Sequence, residues 1–253
     1  MTEPILRVRG LNKRFGGIVV ADDISLDVGA GDILGLIGPN GAGKTSLFNL
    51  LTGLYRQDAG RVWLGGRAID TLPMFKRARL GLSRTWQHMR LFQSMTVLDN
   101  LLISASEYQG DSMLRSLWRP RGLREQNRRN LERASGILAR LGLDRDRDKL
   151  VSELTFGQQK LIGMGRALMH GGSCLLLDEP MAGVEGAAYE TMKEVVREEA
   201  RMGRAICVVE HNVSFIRDLC NSAVFMFNGR MMRSGSVAEL LASEELSQLY
   251  FGK

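Results

Sequence analysis

Gly38-Pro39-Asn40-Gly41-Ala42-Gly43-Lys44-Thr45 fits G-x-x-x-x-G-K-[ST], a spacing suited to holding a triphosphate. Glycines let successive backbone N–H groups turn inward and make a concave nest for phosphate oxygens. Lys44 brings an ammonium to the β- and γ-phosphates, and Thr45 a hydroxyl to Mg²⁺. The unbroken apolar run Ile33–Ile37 predicts a strand covered on both faces, and Leu47, Leu50, Leu51 and Leu54 predict a helix after the loop. Such a helix adds its uncapped N–H donors and positive end to the phosphate site. A chance match in a chain of this glycine content has odds of about one in a hundred, and the strand–loop–helix context lowers them.

Two further strand ends carry chemistry. Cys174-Leu175-Leu176-Leu177-Asp178-Glu179 is an apolar run ending in two acids, and the carboxyl ends of parallel strands are where α/β sheets bind ligands. Asp178 suits Mg²⁺ through its water shell, and Glu179 suits a general base on an attacking water; the competing reading is a solvated strand end. Ile206-Cys207-Val208-Val209-Glu210-His211 ends in the only one of three histidines placed at the end of a predicted core strand. There it suits a hydrogen bond to a γ-phosphate oxygen, although by itself a surface histidine without function is the simpler reading. Thr155-Phe156-Gly157-Gln158 opens a helical stretch with Leu161, Met164 and Leu168 on one face. The Thr155/Gln158 spacing fits a capping box, and the same exposed helix start also fits an anion site; local physics leaves both open.

The elements that must position these residues follow a β/α alternation. Leu6–Arg9, Ile24–Val28, Ile33–Ile37, Arg61–Leu64, Cys174–Leu177, Ile206–Val209 and Ala223–Phe227 read as strands, separated in the second half by helical stretches, which predicts a parallel sheet with helices on both faces. Asn228-Gly229 before Arg230–Arg233 predicts a type I′ hairpin. Residues 70–171 are mostly helical and more polar, consistent with an inserted α-lobe entered near Gln87 and left near Gly157.

The 253 residues, 44% apolar and 25% charged, suit one large α/β domain or a domain with an inserted lobe. No apolar stretch approaches the roughly 20 residues of a membrane span, and the N-terminus MTEPILRVRG lacks an apolar h-region, so no secretory signal is expected. Cys174, Cys207 and Cys220 form no C-x-x-C pair and read as core thiols rather than disulfides or metal ligands. Eleven basic residues against five acidic ones between Arg115 and Lys149 account for the whole net charge of +6. With Leu131, Ile137, Leu138 and Leu141 at helical spacing, that segment reads as the solvated face of an amphipathic helix, or as a basic lobe near lipid headgroups. Trp118 is its only aromatic residue, which gives nucleic acid little to stack on.

Together these residues resemble the ATP-binding-cassette ATPases over almost the whole chain. Gly38–Thr45 is similar to Walker A, Cys174–Glu179 to Walker B with its catalytic glutamate, and Leu154–Gln158 to the cassette signature. Gln87 matches the Q-loop glutamine, His211 the switch histidine, Phe15 the aromatic that stacks on adenine, and Met181–Glu185 the D-loop. Leu11–Gly17, Ile37–Leu54, Arg84–Gln87, Arg90–Phe92 and Val209–His211 further resemble the ATP-binding subunit of branched-chain amino acid importers. Departures are Thr155 and Phe156 where the family commonly has Ser-Gly, and Glu185-Gly186 at the end of the D-loop.

The resemblance implies a P-loop NTPase (RecA-like) core with a parallel sheet, an N-terminal antiparallel β subdomain and an inserted α-helical subdomain. The division expected is residues 1–86 and 158–253 for the core and 87–157 for the insert. It implies ATP and Mg²⁺, with nucleotide contacts from Phe15, Gly38, Pro39, Asn40, Gly41, Ala42, Gly43, Lys44, Thr45 and Ser46, and from Thr155, Gly157 and Gln158 of a signature helix. Thr45, Gln87 and Asp178 would serve the metal, and Glu179, His211 and Gln87 the catalysis. The implied partners are integral membrane permease subunits, a second ATPase cassette (a copy or a related chain) and, indirectly, an extracytoplasmic solute-binding protein, without nucleic acid. The implied place is the cytoplasmic face of the plasma (inner) membrane, and the implied work is import of branched-chain or related hydrophobic amino acids. A urea or amide importer, an exporter, and a soluble mechanochemical cassette acting on nucleic acid or ribosomes are the alternatives. A metabolite kinase with the same phosphate loop would need neither the Leu154–Gln158 element nor His211.

Overall fold

Ile33–Ile37 forms β3, and all five positions are buried, as an uninterrupted apolar run requires. The computed structural model describes residues 3–86, 89–105 and 120–243. In it β3 pairs in parallel with β8 (Ala205–Val209) on one side and β9 (Ser222–Phe227) on the other. Beyond β8 come β7 (Cys174–Asp178) and β6 (Leu82–Arg84), also parallel. The far edge is β10 (Arg230–Gly235), antiparallel to β9, so the order is β10-β9-β3-β8-β7-β6. Asn228 and Gly229 both take positive φ, 48° and 77°, which is the geometry of the expected type I′ turn.

A second, antiparallel sheet of four strands runs β2 (Ile18–Val28), β1 (Leu6–Phe15), β4 (Ala59–Leu64) and β5 (Arg67–Ala68). Both β1 and β2 extend well past the apolar cores from which they were expected, because register shifts after Val8 carry the polar stretch on in the ladder. Helix α1 (Lys44–Thr52) packs Leu47, Phe48, Leu50 and Leu51 into the core shared with both sheets, each contributing about 1.5–3 kcal/mol by burial. Gly53 ends this helix in the left-handed conformation, so Leu54, expected on its buried stripe, lies outside and exposed. Strand β6 lies within the stretch expected to be mostly helical. Three residues, two of them polar, carry no periodicity to read, and the strand forms because Leu82 pairs with Cys174 at the sheet edge.

The chain separates into two units, one of residues 1–87, 172–182 and 196–253, the other of 88–171 and 183–195. The second unit is helical: α3 (Val97–Leu102), α4 (Pro120–Arg140) and α5 (Phe156–His170), with 183–195 holding the first part of α6 (Ala187–Arg201). This unit extends past the 87–157 division expected, because α5 packs with α3 and α4: around Gly165, Leu101, Ile137 and Leu141 come so near that a Cβ would lie 2.9 Å from Leu141 Cδ1. Ala134, Ile137, Leu138 and Leu141 are buried as the spacing requires, but Leu131 is 40% exposed and belongs to the other face. On that face Arg128 reaches Glu125 at 2.7 Å and Glu132 at 3.1 Å, so part of the basic excess is neutralised along the helix. The expected contributions of Gln87, Arg115, Trp118 and Arg119 lie outside the described residues. The remaining helices, α2 (Met74–Arg79), α7 (Val213–Leu219) and α8 (Val237–Leu241), belong to the first unit.

Candidate functional site

The strand order puts the carboxyl ends of β3, β8, β7 and β6 side by side, and the residues with chemical potential stand there. After β3 the loop 38–43 turns through three glycines with positive φ, Gly38 (147°), Gly41 (81°) and Gly43 (101°). At Gly38 a Cβ would fall 2.1 Å from Met226 O, and at Gly43 2.6 Å from Val20 O. Two backbones therefore press on the loop, and no residue with a side chain fits there without rebuilding it. Gly43 is the N-cap of α1 and supplies no side-chain cap to the first-turn amides, which leaves those donors for an anion.

Lys44 is buried and donates from Nζ to Gly38 O at 2.7 Å and Pro39 O at 2.9 Å. The ammonium thus lies across the concave side of its own loop, held by carbonyls that phosphate oxygens would outcompete. Burial pulls its pKa down, opposed by the nearby charges of Glu179 and Asp178. Thr45 is exposed at the first turn, with Ser46 partly covered beside it.

Asp178 ends β7 with its side chain 1% exposed. Its Oδ2 accepts from Arg84 Nη2 at 2.6 Å and its backbone N–H donates to Thr85 Oγ1 at 3.1 Å. The other carboxylate oxygen, Oδ1, is buried with no hydrogen-bond partner among the described residues. Glu179 follows in a left-handed conformation, φ 47°, unusual for a residue with a side chain and fixed by its N–H donating to Val209 O at 2.9 Å. The turn redirects its carboxylate, and Oε1 lies 3.2 Å from His211 Nε2. The register puts Asp178 opposite Val209 and so brings the two strand ends together; the turn at Glu179 then carries its carboxylate to His211, one residue further along.

Glu210, between Val209 and His211, is buried and faces inward. Its carboxylate accepts from Met181 N–H at 2.6 Å, His211 N–H at 3.1 Å and, more weakly, Asn212 N–H at 3.4 Å. Burial raises its pKa above the ordinary glutamate value, and these three N–H donors oppose the rise. One carboxylate thus ties together the segments that carry Glu179 and His211. Neither this clamp nor Arg84 was read as functional from sequence. The available signal was a charged residue at the end of a buried strand, clear for Glu210 and hidden for Arg84 by the shortness of β6.

Phe15 is 44% exposed, edge-to-face with Tyr55 at 5.1 Å between centroids and under Lys13 Nζ at 5.0 Å. It is an exposed aromatic residue of the kind that stacks on a base.

In the helical unit, the Thr155 capping box is present: Gln158 N–H donates to Thr155 Oγ1 at 3.3 Å and Thr155 N–H to Gln158 Oε1 at 3.0 Å. Gln158 Nε2 also donates to Asp146 Oδ2 at 3.2 Å. Gly157 sits close against the next element, since a Cβ there would lie 3.0 Å from Ala188 Cβ. Phe156 is half exposed with Lys160 Nζ 5.8 Å from its ring centroid. The geometry here is that of the cap, in which the Thr155 hydroxyl also donates to Gln158 Oε1 at 3.1 Å.

Among the described residues no three His, Cys, Asp or Glu side chains come together as a metal cage. A cation here would be held in the manner of Mg²⁺, by phosphates and water with one or two protein oxygens. The orphaned Asp178 Oδ1 and the exposed Thr45 hydroxyl fit that donor set.

A phosphate loop after a central parallel strand, with an acid pair and a histidine on the neighbouring strand ends, defines a P-loop nucleoside triphosphatase. The sequence matches the ABC transporter family over residues 21–182. It is 32% identical to the high-affinity branched-chain amino acid transport ATP-binding protein LivG of Salmonella typhimurium over the full length of both chains. It is also 31% identical to the lipopolysaccharide export system ATP-binding protein LptB of Haemophilus influenzae, over 98% of each. Among solved structures, an ATP-binding cassette of an ABC transporter in its ADP conformation superposes with a TM-score of 0.86 at 32% identity, covering all of both chains. The chain belongs to the ABC transporter ATP-binding cassettes, and it is a nucleotide-binding ATPase of that family.

Proposed function

We propose that this cassette energises the import of branched-chain or related hydrophobic amino acids. The full-length likeness to the LivG protein supports the substrate class. The observation that carries the chemistry is the Glu179–His211 contact at 3.2 Å beside the loop that holds Lys44.

In this reading ATP lies with its adenine on Phe15 and its phosphates in the amides of residues 38–46. Lys44 exchanges its two carbonyl acceptors for β- and γ-phosphate oxygens. Glu179 takes a proton from the attacking water, and His211 orients Glu179 and donates to the γ-phosphate. Mg²⁺, when bound, supplies charge neutralisation on the β- and γ-oxygens, with Thr45, Asp178 and Gln87 as its protein contacts. Thr155, Gly157 and Gln158 supply anion donors to the nucleotide of a second cassette, so that ATP closes the pair and its hydrolysis opens it.

The working assembly is two cassettes on two membrane permease subunits, fed by an extracytoplasmic solute-binding protein, with this chain peripheral at the cytoplasmic face. Among the described residues no helix is long and apolar enough to cross a membrane, which suits a peripheral subunit. Export is the second reading, favoured by the 31% identity to the lipopolysaccharide export protein. Uptake of labelled leucine, isoleucine and valine in cells lacking the gene tests the choice. Loss of ATP-dependent uptake, restored by the chain, is expected. Unchanged uptake of all three contradicts import of this class.

A further inference from the structure

Arg84 contacts none of the atoms that would bind nucleotide, yet it is one of the most enclosed charges in the first unit, with its side chain 4% exposed. It ends β6, opposite Leu176 of β7, and so projects toward the end of the strand that carries Asp178. One arm of the guanidinium, Nη2, donates to Asp178 Oδ2 at 2.6 Å. The other arm, Nη1, donates to Asn49 Oδ1 on α1 at 2.7 Å. Phe48 and Trp86 flank the charge, with ring centroids 5.5 and 4.5 Å from Cζ, so its direction is held by stacking as well as by hydrogen bonds.

The two acceptors belong to the two elements that carry the protein oxygens for Mg²⁺. Asn49 lies one helical turn after Thr45 on α1, and Asp178 is the strand-end carboxylate itself. A planar fork with fixed spacing between its arms therefore sets the separation of the Thr45 helix from the Asp178 strand. It also divides the work within the carboxylate. Oδ2 is taken by the guanidinium, and Oδ1 is left buried and without a partner. A carboxylate this enclosed needs a counter-charge when no cation is bound, and Arg84 supplies one while leaving the second oxygen available.

We infer that Arg84 is a positioning residue for the metal: its guanidinium aims Asp178 Oδ1 at the Mg²⁺ of the nucleotide complex and spaces it from Thr45. This rests on the reading of Thr45 and Asp178 as the metal-holding residues. The signature is specific. Nucleotide held by the loop amides and Lys44 does not depend on Arg84, whereas the extra affinity that Mg²⁺ confers does.

The test is binding of a fluorescent ADP by the full chain, in EDTA and in saturating Mg²⁺, for the parent, Arg84→Gln and Arg84→Lys, with thermal midpoints measured alongside. Expected is an affinity in EDTA within about twofold of the parent for Arg84→Gln, with the gain on adding Mg²⁺ reduced tenfold or more. Arg84→Lys restores part of the gain, since an ammonium holds the charge but not both acceptors in one plane. Asn49→Ala, which removes only the second acceptor at a half-buried site, reduces the gain to a smaller extent and decides the matter if the Arg84 variants do not fold. Equal losses with and without Mg²⁺ would make Arg84 a packing residue and overturn the inference. A gain equal to or larger than the parent's would overturn it too, the larger one by showing that the guanidinium competes with the metal. No gain from Mg²⁺ in the parent itself would instead refute the metal reading on which the inference rests.

Discussion

Replacing Glu210 by Gln separates the cost of a buried charge from its use. The carboxylate accepts from Met181 and His211 N–H at 2.6 and 3.1 Å, and so joins the two segments that also meet through Glu179 and His211. Glutamine keeps the shape and one acceptor, which would stay with Met181, but it turns an NH₂ toward the N–H groups of His211 and Asn212. The lost bond, amide to carboxylate, is of a kind worth about 1.5–3 kcal/mol. If all of it goes into holding His211 against Glu179, turnover falls by roughly 10- to 150-fold. ATP affinity should stay within about twofold, because Glu210 touches no part of the phosphate loop.

Global stability should move the other way with pH. Burial raises the Glu210 pKa above 4.5, so its contribution to stability is full below 4.5 and is lost as pH rises through the raised value. The glutamine variant carries no such loss, and its thermal midpoint should gain on the parent's as pH rises from 4 to 8. Steady-state turnover, nucleotide titration and thermal melts at several pH values check the three statements together. Parent-like turnover in Glu210→Gln would refute the clamp. Parallel losses of turnover, binding and midpoint would reduce it to a general structural role.

Two other outcomes follow from buried charge and buried sulfur. Lys44→Ala should weaken ATP binding about a hundredfold or more, since it removes the ammonium that lies across the loop on Gly38 O and Pro39 O; equilibrium titration with labelled ATP decides, and unchanged affinity contradicts the phosphate-loop assignment. Burial pushes the thiols of Cys174 and Cys220 up to about 12 and that of Cys207 well above its usual value. Alkylation of the folded chain should therefore be slow at pH 8 and become fast only in denaturant or as the pH approaches 12; rapid labelling of all three thiols at pH 8 would contradict their placement.

Much of the architecture was legible because strong local patterns agreed with the fold. Ile33–Ile37, Cys174–Leu177 and Ile206–Val209 are all core strands, and Asn228-Gly229 makes the hairpin its residues dictate. Thr155 and Gln158 form the capping box their spacing implies. What escaped was set by neighbours rather than by sequence period. Strand β6 exists because β7 offers it an edge. Helix α5 belongs with α3 and α4 because Gly165 lets Leu101, Ile137 and Leu141 close in. At the site, Lys44, Asp178, Glu179 and His211 could be picked out by residue type and place. Arg84 was hidden by the shortness of its strand, and Glu210, though marked as a charge ending a buried strand, shows its role only in what it touches, three amides from two loops.

We propose that Glu179, turned by its left-handed backbone onto His211, activates the attacking water while other residues hold the nucleotide. Measuring ATP affinity and ATP turnover side by side for the parent and Glu179→Gln tests it most directly. Affinity within about twofold of the parent is expected, with turnover reduced by about a hundredfold or more, as when a general base is removed. Turnover near the parent's, or binding lost along with it, would contradict it.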